Sequence, residues 1–400
     1  MRILIAQDAL HAEGGVETYL GSVIPGLRAR GHSIGLLYVQ RSGAPRIGGV
    51  DGPYIAVEPG AMEDGFAILR AWSPDVCFSN NMASLPIEAR ALDEWPVVKF
   101  MHGYAGTCIS GLKTHTSPRP AACHRTFGPA CAFLYAPRHC GQLTPAALVG
   151  GYRWARRQRQ LFSRYASIIV ASEHMKREYE KHGAPPDRVV MLPLFPSASS
   201  GAAADPAGDS VLFLGRMTEL KGGDILIRAV SRAAARLQRP ISLVLAGDGP
   251  QRAAWERLAV REGVTASFPG WLGEMERAEA LSRTSVLAVP SVWPEPFGLV
   301  GLEAAAMGVP AVAFDTGGIR QWLRDGVSGI LVSPSSGDAG LAIALAQILE
   351  DHQHRARLSA GARAAAHEMS AASHITGLEG VLDTAAQRHT STAAASGAAQ

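Results

Sequence analysis

Two carboxylates with seven residues between them, Glu295 and Glu303, stand in the stretch PSVWPEPFGLVGLEAAAM at 290–307. The run SVLAVP at its head reads as a strand, and LVGLEAAAM reads as a helix opening near Gly298 or Leu299. The first amides of that helix, from Phe297 to Val300, have no partner inside it and make a seat for an anion. Glu295 falls in the loop just before the seat, and Glu303 about a turn inside the helix. Acids beside an anion seat suit a ligand with hydroxyls on both sides of its phosphates, because a carboxylate accepts from paired hydroxyls. A sugar, a diphosphate and a ribose in series have that layout. The plainer alternative has Glu295 complementing the helix dipole and Glu303 facing solvent.

Cations for such a diphosphate come from LGRMTELKGGD, where Arg216 ends an apolar run and Lys221 precedes a Gly-Gly helix start. Arginine offers a planar fork and lysine a point charge; a solvated loop is the alternative. Gly14 and Gly15 open a helix after the first apolar run, where bare amides let a phosphate approach. They do not form G-x-G-x-x-G, which weakens a nicotinamide dinucleotide reading. LAGDGP sets Gly247 and Asp248 at another strand end, a pattern that an ordinary turn also gives. His102 closes the run VVKFMH, where a lone histidine is more often structural. No Asp-x-Asp metal motif occurs, which agrees with side-chain cations standing in place of a metal ion.

These residues need a framework, and the apolar pattern supplies two. Strands are predicted at 2–6, 34–39, 75–78, 97–101 and 167–171, then at 211–215, 242–246, 286–289, 311–314 and 329–332, with helical periods between them. Such alternation predicts an α/β chain of two doubly wound, Rossmann-like domains facing a central cleft, with ligands at the strand C-termini. The first domain is expected over 1–195 and the second over 210–370, joined by a small, polar linker at 196–209. A helix over 371–389 is expected to return to the first domain, ahead of a structureless tail at 390–400. Four hundred residues, 47% of them apolar, provide for two cores.

The net charge of +3 conceals an uneven distribution: 96–172 holds ten Lys or Arg and no Asp or Glu. A one-signed field of that length suits an anionic partner, either a phosphorylated acceptor or an acidic membrane surface, and the basic amphipathic run YRWARRQRQLFSRYA fits the latter. Nucleic acid is disfavoured, since stacking aromatics are not interleaved with the cations. The apolar runs are too short to span a bilayer and the first residues lack a signal-peptide pattern, which predicts a cytoplasmic protein with a peripheral seat on the inner membrane face. An insert at about 103–150 carries Cys108, Cys123, Cys131 and Cys140. Four cysteines there suggest structural zinc before disulfides, yet the tight C-x2-C knuckle is missing, and free thiols or disulfides stay open.

Read in order, GGVETYLGSVIPGLRARGHSI, FMHG, LGRMTELKGGDILIRA, LAGDGP and EPFGLVGLE with its continuation AAAMGVPAVAFDTGGIRQWLRDGVSGILV resemble the retaining glycosyltransferases of family 4. These are enzymes of GT-B architecture, and some members carry a Cys-rich insert in the N-terminal domain. The resemblance runs over nearly the full length. It implies transfer of a hexose, with retention and without a catalytic metal, from a UDP-, GDP- or other nucleotide sugar. The acceptor it implies is a sugar or a lipid-linked, anionic intermediate, as in polysaccharide biosynthesis. By the same resemblance Glu295 would hold hydroxyls of the donor sugar and Glu303 those of the ribose, with the amides of Phe297, Gly298, Leu299 and Val300 along sugar and diphosphate. Arg216 and Lys221 would neutralise the leaving diphosphate, Gly14 and Gly15 would approach it from the first domain, and His102 would lie near the reacting sugar. Gly247 and Asp248 would line the cleft, and the base would be read around Trp271 and Leu272. A sugar-nucleotide epimerase or phosphorylase of the same fold, or a non-catalytic nucleotide-sugar-binding protein, are the other classes the residues leave open.

Overall fold

Apolar runs without polar alternation make strands covered on both faces, and the chain builds two sheets from them. The computed structural model describes residues 1–8, 15–39, 48–58, 60–196 and 208–397, with side chains for all of these except 15 and 389–397. The first half contains β1 (Arg2–Gln7), β2 (Ser33–Val39), β3 (Tyr54–Val57), β4 (Val76–Ser79) and β5 (Val97–Met101). A small hairpin follows, β6 (Thr114–His115) and β7 (Ala121–Ala122), and then β8 (Ser167–Val170) and β9 (Val189–Met191). The second half contains β10 (Ser210–Leu214), β11 (Ser242–Ala246), β12 (Ala266–Gly270), β13 (Val286–Val289), β14 (Ala311–Phe314) and β15 (Gly329–Val332).

The first sheet runs β3-β2-β1-β4-β5-β8-β9 and the second β12-β11-β10-β13-β14-β15, each parallel throughout. All ten predicted strands are present. Three others, β3, β9 and β12, are sheet-edge strands. β3 (YIAV) and β9 (VVM) are short apolar runs that the strand prediction passed over, whereas β12 is partly exposed along its whole length and contains Pro269.

In an open parallel sheet the ligand crevice lies at the C-terminal ends of the strands where the order reverses. Those points are β1/β4 in the first sheet and β10/β13 in the second. Gly15 starts the helix Gly15–Ala29 after β1, Asn80 follows β4 and His102 follows β5. In the second sheet Arg216 follows β10, Gly247 follows β11 and the loop bearing Glu295 follows β13.

The helix Ala371–Gly397 packs against Gly15–Ala29 and reaches β4 and β5, well away in sequence. Its His374 Nε2 meets Tyr19 Oη at 2.9 Å, and its Glu379 Oε1 meets His32 Nε2 at 2.8 Å. It continues to Gly397, through the region expected as a structureless tail, because the alanines of STAAASG have high helix propensity. Most of the expected linker, 197–207, lies outside the described residues. Between β5 and β8 the insert holds only the β6–β7 hairpin, the five-residue helix Ala130–Leu134 and the helix Pro145–Gln160. Its own small core is Ile109, Phe127, Tyr135 and Ala155.

Candidate functional site

The loop between β13 and the helix Leu299–Ala306 is fixed from several directions. Gly298 caps that helix with φ of +87°, a left-handed conformation open to glycine, and a Cβ there would come within 2.8 Å of Ile319. Phe297 is buried and its carbonyl accepts from Trp322 Nε1 at 2.8 Å. The backbone of Glu295 is gripped by the Gly317-Gly318 turn after β14: Gly318 N donates to Glu295 O at 2.6 Å, and a Cβ on either glycine would collide with the carbonyl of Glu295 or Pro296. From the first half, Tyr104 Oη donates to Pro294 O at 2.7 Å and Ser172 Oγ to Pro296 O at 2.6 Å. Burial, and after it the Glu295 carboxylate, hold the Tyr104 phenol well above its ordinary pKa, so it stays protonated and donates.

Glu295 is 5% exposed and faces a cavity of about 180 Å³ beside Lys221, Gly215 and the helix start at Gly298, Leu299 and Val300. Lys221 Nζ stands 2.6 Å from Glu295 Oε1 and 4.8 Å above the Trp293 ring. The two residues read from sequence as holding different parts of one ligand are therefore in direct contact. Arg216 follows the cavity-lining Gly215, is exposed, is not itself among the lining residues, and carries no ion pair among the described residues. Glu303 is buried and turned elsewhere, toward Arg277 Nε at 3.4 Å on the helix Glu274–Ser282.

Gly247 N donates to Gly270 O at 2.7 Å, and the carbonyl of Asp248 takes Met217 N at 2.8 Å, which ties the turn after β11 to the strand end bearing Arg216. The Asp248 side chain bonds Gly249 N at 2.6 Å and reaches Arg252 at 3.6 Å. Trp271 is 61% exposed and Leu272 half-buried at the same rim. Gly15 begins its helix, whereas Gly14 lies outside the described residues.

His102 lines a different cavity, of about 310 Å³, with Lys99, Asn81, Gly103, Trp154 and Gln158. Its Nε2 is 2.9 Å from Asn80 Oδ1, and Asn80 Nδ2 donates to Phe78 O at 3.5 Å. That orientation leaves Oδ1 to accept, so the proton of His102 sits on Nε2 and its Nδ1 keeps a lone pair. Burial, with smaller contributions from Lys99 and His374, pulls the imidazole down to about 3, so it is neutral across ordinary pH. The two cavities are joined through the backbone: Tyr104, two residues after His102, holds Pro294, next to Glu295.

The family described as "Glycosyl transferase 4-like domain" matches residues 14–194, and "Glycosyl transferases group 1" matches 208–351. The chain belongs to glycosyltransferase family 4. Relatives in this family include a D-inositol 3-phosphate glycosyltransferase of Stackebrandtia nassauensis, 33% identical over 220 residues that make up 49% of each chain. Another is the phosphatidyl-myo-inositol mannosyltransferase of Mycolicibacterium smegmatis, 35% identical over 164 residues, 40% of this chain and 41% of the relative. The chain spans about half the length, or less, of the curated relatives it matches. The GT-B fold is shown by Anabaena Alr3699/HepE solved with UDP and glucose, at 18% identity, TM-score 0.68 and coverage of 96% of this chain and 100% of that one. The lipopolysaccharide outer core galactosyltransferase WaaB in its apo form gives 12% identity and TM-score 0.69, covering 96% and 99%.

Within this family 4 chain the sequence reading overlooked Asn80, Tyr104, Ser172, Trp293 and the Gly317-Gly318 turn. Two signals are present in the sequence: Trp293 stands two residues before Glu295 in the stretch at 290–307, and the glycine pair after β14 lies within AFDTGGIRQW. Asn80, Tyr104 and Ser172 reach the site only by folding.

Proposed function

We propose that the chain transfers a hexose, with retention, from a nucleoside diphosphate sugar to a sugar or lipid-linked acceptor at the cavity between Lys221 and Glu295. The observation that carries this reading is the Lys221–Glu295 contact at the start of the helix Leu299–Ala306. A cation, a carboxylate and unpaired helix amides within one cavity match a ligand that joins a diphosphate to a polyol. Membership of family 4 and the UDP and glucose bound by Alr3699/HepE support the same ligand class.

In this reading the diphosphate takes the amides at Gly298 to Val300 and draws Lys221 away from Glu295, with Arg216 adding a second cation. The released carboxylate accepts from hydroxyls of the sugar, and Glu303 with Gly247 and Asp248 serves the ribose side near Trp271 and Leu272. The acceptor oxygen bonds the anomeric carbon on the face from which the phosphate oxygen departs, and the acceptor proton passes to that oxygen. His102, held neutral with its Nε2 proton on Asn80, can accept a hydrogen bond at Nδ1 and has no free proton to transfer. Charge on the leaving group is balanced by side chains and helix amides, with no catalytic metal assigned.

The acceptor side is proposed to meet an acidic surface through Arg153, Arg156 and Arg157. These are exposed along the helix Pro145–Gln160 and have no carboxylate partner among the described residues. A peripheral seat on the inner face of a membrane follows from this. No helix among the described residues is long and apolar enough to cross one.

The experiment is a thermal-shift panel of UDP, GDP, ADP and TDP with their common sugars. One base should stabilise the protein by about 2.7 kcal/mol at a hundredfold excess over its dissociation constant. A panel in which no nucleotide moves the transition removes the reading.

A further inference from the structure

We propose that Cys108, Cys123, Cys131 and Cys140 together bind one thiophilic divalent ion of the zinc class, and that this ion fixes the insert against the Glu295 loop. The inference stands apart from the proposed sugar transfer, because it concerns how the insert holds its shape.

The insert needs such a tie. Its strands have two residues each, its helix Ala130–Leu134 has five, and its private core is four side chains. So small a core rarely holds a segment of this length without a staple. The cysteines are spread over more than thirty positions, yet folding brings all four to the wall of one cavity of about 30 Å³. That is space for about one small ion. A cysteine used only for packing looks different here: Cys77, inside β4, is fully buried, whereas each of these four is only partly buried.

The surrounding chemistry agrees. None of the four is in a disulfide. Four thiolates around a divalent ion leave excess negative charge, and the same cavity wall carries Arg125 and Arg138, besides Lys113, which already pairs with Glu178 at 2.9 Å. An all-sulfur set selects zinc over harder ions.

Among the described residues no three Cys, His, Asp or Glu side chains already stand together at ion-binding distance, so the thiols must turn inward. What they would give up is small. Cys108 Sγ lies 3.3 Å from Ser110 Oγ, Cys131 Sγ 3.8 Å from Thr126 O and Cys140 Sγ 4.0 Å from Leu134 O, all weak thiol contacts. Closing on an ion would also hold the segment that touches the site, since Leu112 O accepts from Trp293 Nε1 at 2.7 Å, two residues before Glu295.

The test is metal analysis of the full chain purified without a histidine tag, read by elemental mass spectrometry. About one zinc per chain is expected, released by a mercurial thiol reagent, and cobalt substitution should give thiolate charge-transfer and tetrahedral ligand-field bands. The Cys123→Ser and Cys140→Ser variants should each lose most of the zinc. Where a variant fails to fold, native mass spectrometry of the wild type with thiol alkylation before and after chelation decides. Alkylation protected until the metal is removed supports the site. Four freely alkylated thiols without metal, two disulfides, or zinc retained when all four cysteines are serine would each overturn it.

Discussion

Replacing Lys221 by methionine separates a ligand-binding contact from a packing contact. Lys221 Nζ lies 2.6 Å from Glu295 Oε1, with side chains 26% and 7% exposed. Losing the cation strands a mostly buried carboxylate, which costs about 1–3 kcal/mol in general. The partial exposure of Lys221 screens the pair and brings the expectation to about 1–2 kcal/mol. At about 2–4 °C per kcal/mol for a domain of this size, Lys221→Met should lower the melting temperature by about 2–8 °C. Adding Glu295→Gln removes the stranded charge, so the double variant should recover about half of that loss. Donor binding should behave differently. Lys221 is assigned to the diphosphate, and a charge-assisted hydrogen bond of about 1.5–3 kcal/mol corresponds to roughly tenfold to hundredfold in affinity. Thermal denaturation and calorimetric titration with the nucleoside diphosphate, run on both single variants and the double, give the two quantities. About half of the lost stability should return in the double variant while affinity stays low. Recovery of both together would refute the reasoning, because the pair would then be a structural tie that the ligand never touches.

Three further outcomes are expected. Gly318→Ala puts a Cβ against Pro296 O and within 2.6 Å of Ser172 Oγ; crowding of about 1–3 kcal/mol should displace the Glu295 loop and weaken donor binding about tenfold, and an unchanged affinity would show that the turn does not position Glu295. His102 and His374 have folded pKa values lowered to about 3 and about 4, chiefly by burial. Their stabilisation is thus complete above the unfolded value of about 6.5 and is lost as pH falls toward those folded values. Each should cost about 2 kcal/mol by pH 5, and His374→Asn should flatten the denaturation profile between pH 7 and 5. Finally, the protein should sediment with anionic liposomes at low salt and release at high salt, with Arg153→Glu, Arg156→Glu and Arg157→Glu combined abolishing it; equal binding to neutral liposomes would speak against the basic surface.

How much of this was readable in advance follows the physics of each signal. Interior strands such as β1, β10 and β13 are covered on both faces, and their unbroken apolar runs gave them away. Of the edge strands, β12 has no such run, while β3 (YIAV) and β9 (VVM) have only short ones, which the strand prediction passed over. Glu295, Lys221 and the Gly298 helix start were legible because loop, cation and helix follow one another along the chain. That Lys221 would already hold Glu295 was not, since they are 74 positions apart and meet only once β10 and β13 lie side by side. Tyr104 and Ser172 were invisible for the same reason: each reaches across from the first half to a carbonyl of the loop, and a carbonyl leaves no mark in the residue types. Alanine-rich sequence near the C-terminus was read as lacking a core, yet such sequence is also a strong helix former.

The most direct test of the central claim is a crystal structure of the protein with the nucleoside diphosphate chosen by the thermal-shift panel. The diphosphate should lie on the amides of Gly298 to Val300 with Lys221 Nζ moved from Glu295 onto a phosphate oxygen. A nucleotide bound elsewhere, with the Lys221–Glu295 contact intact at 2.6 Å, would contradict the account.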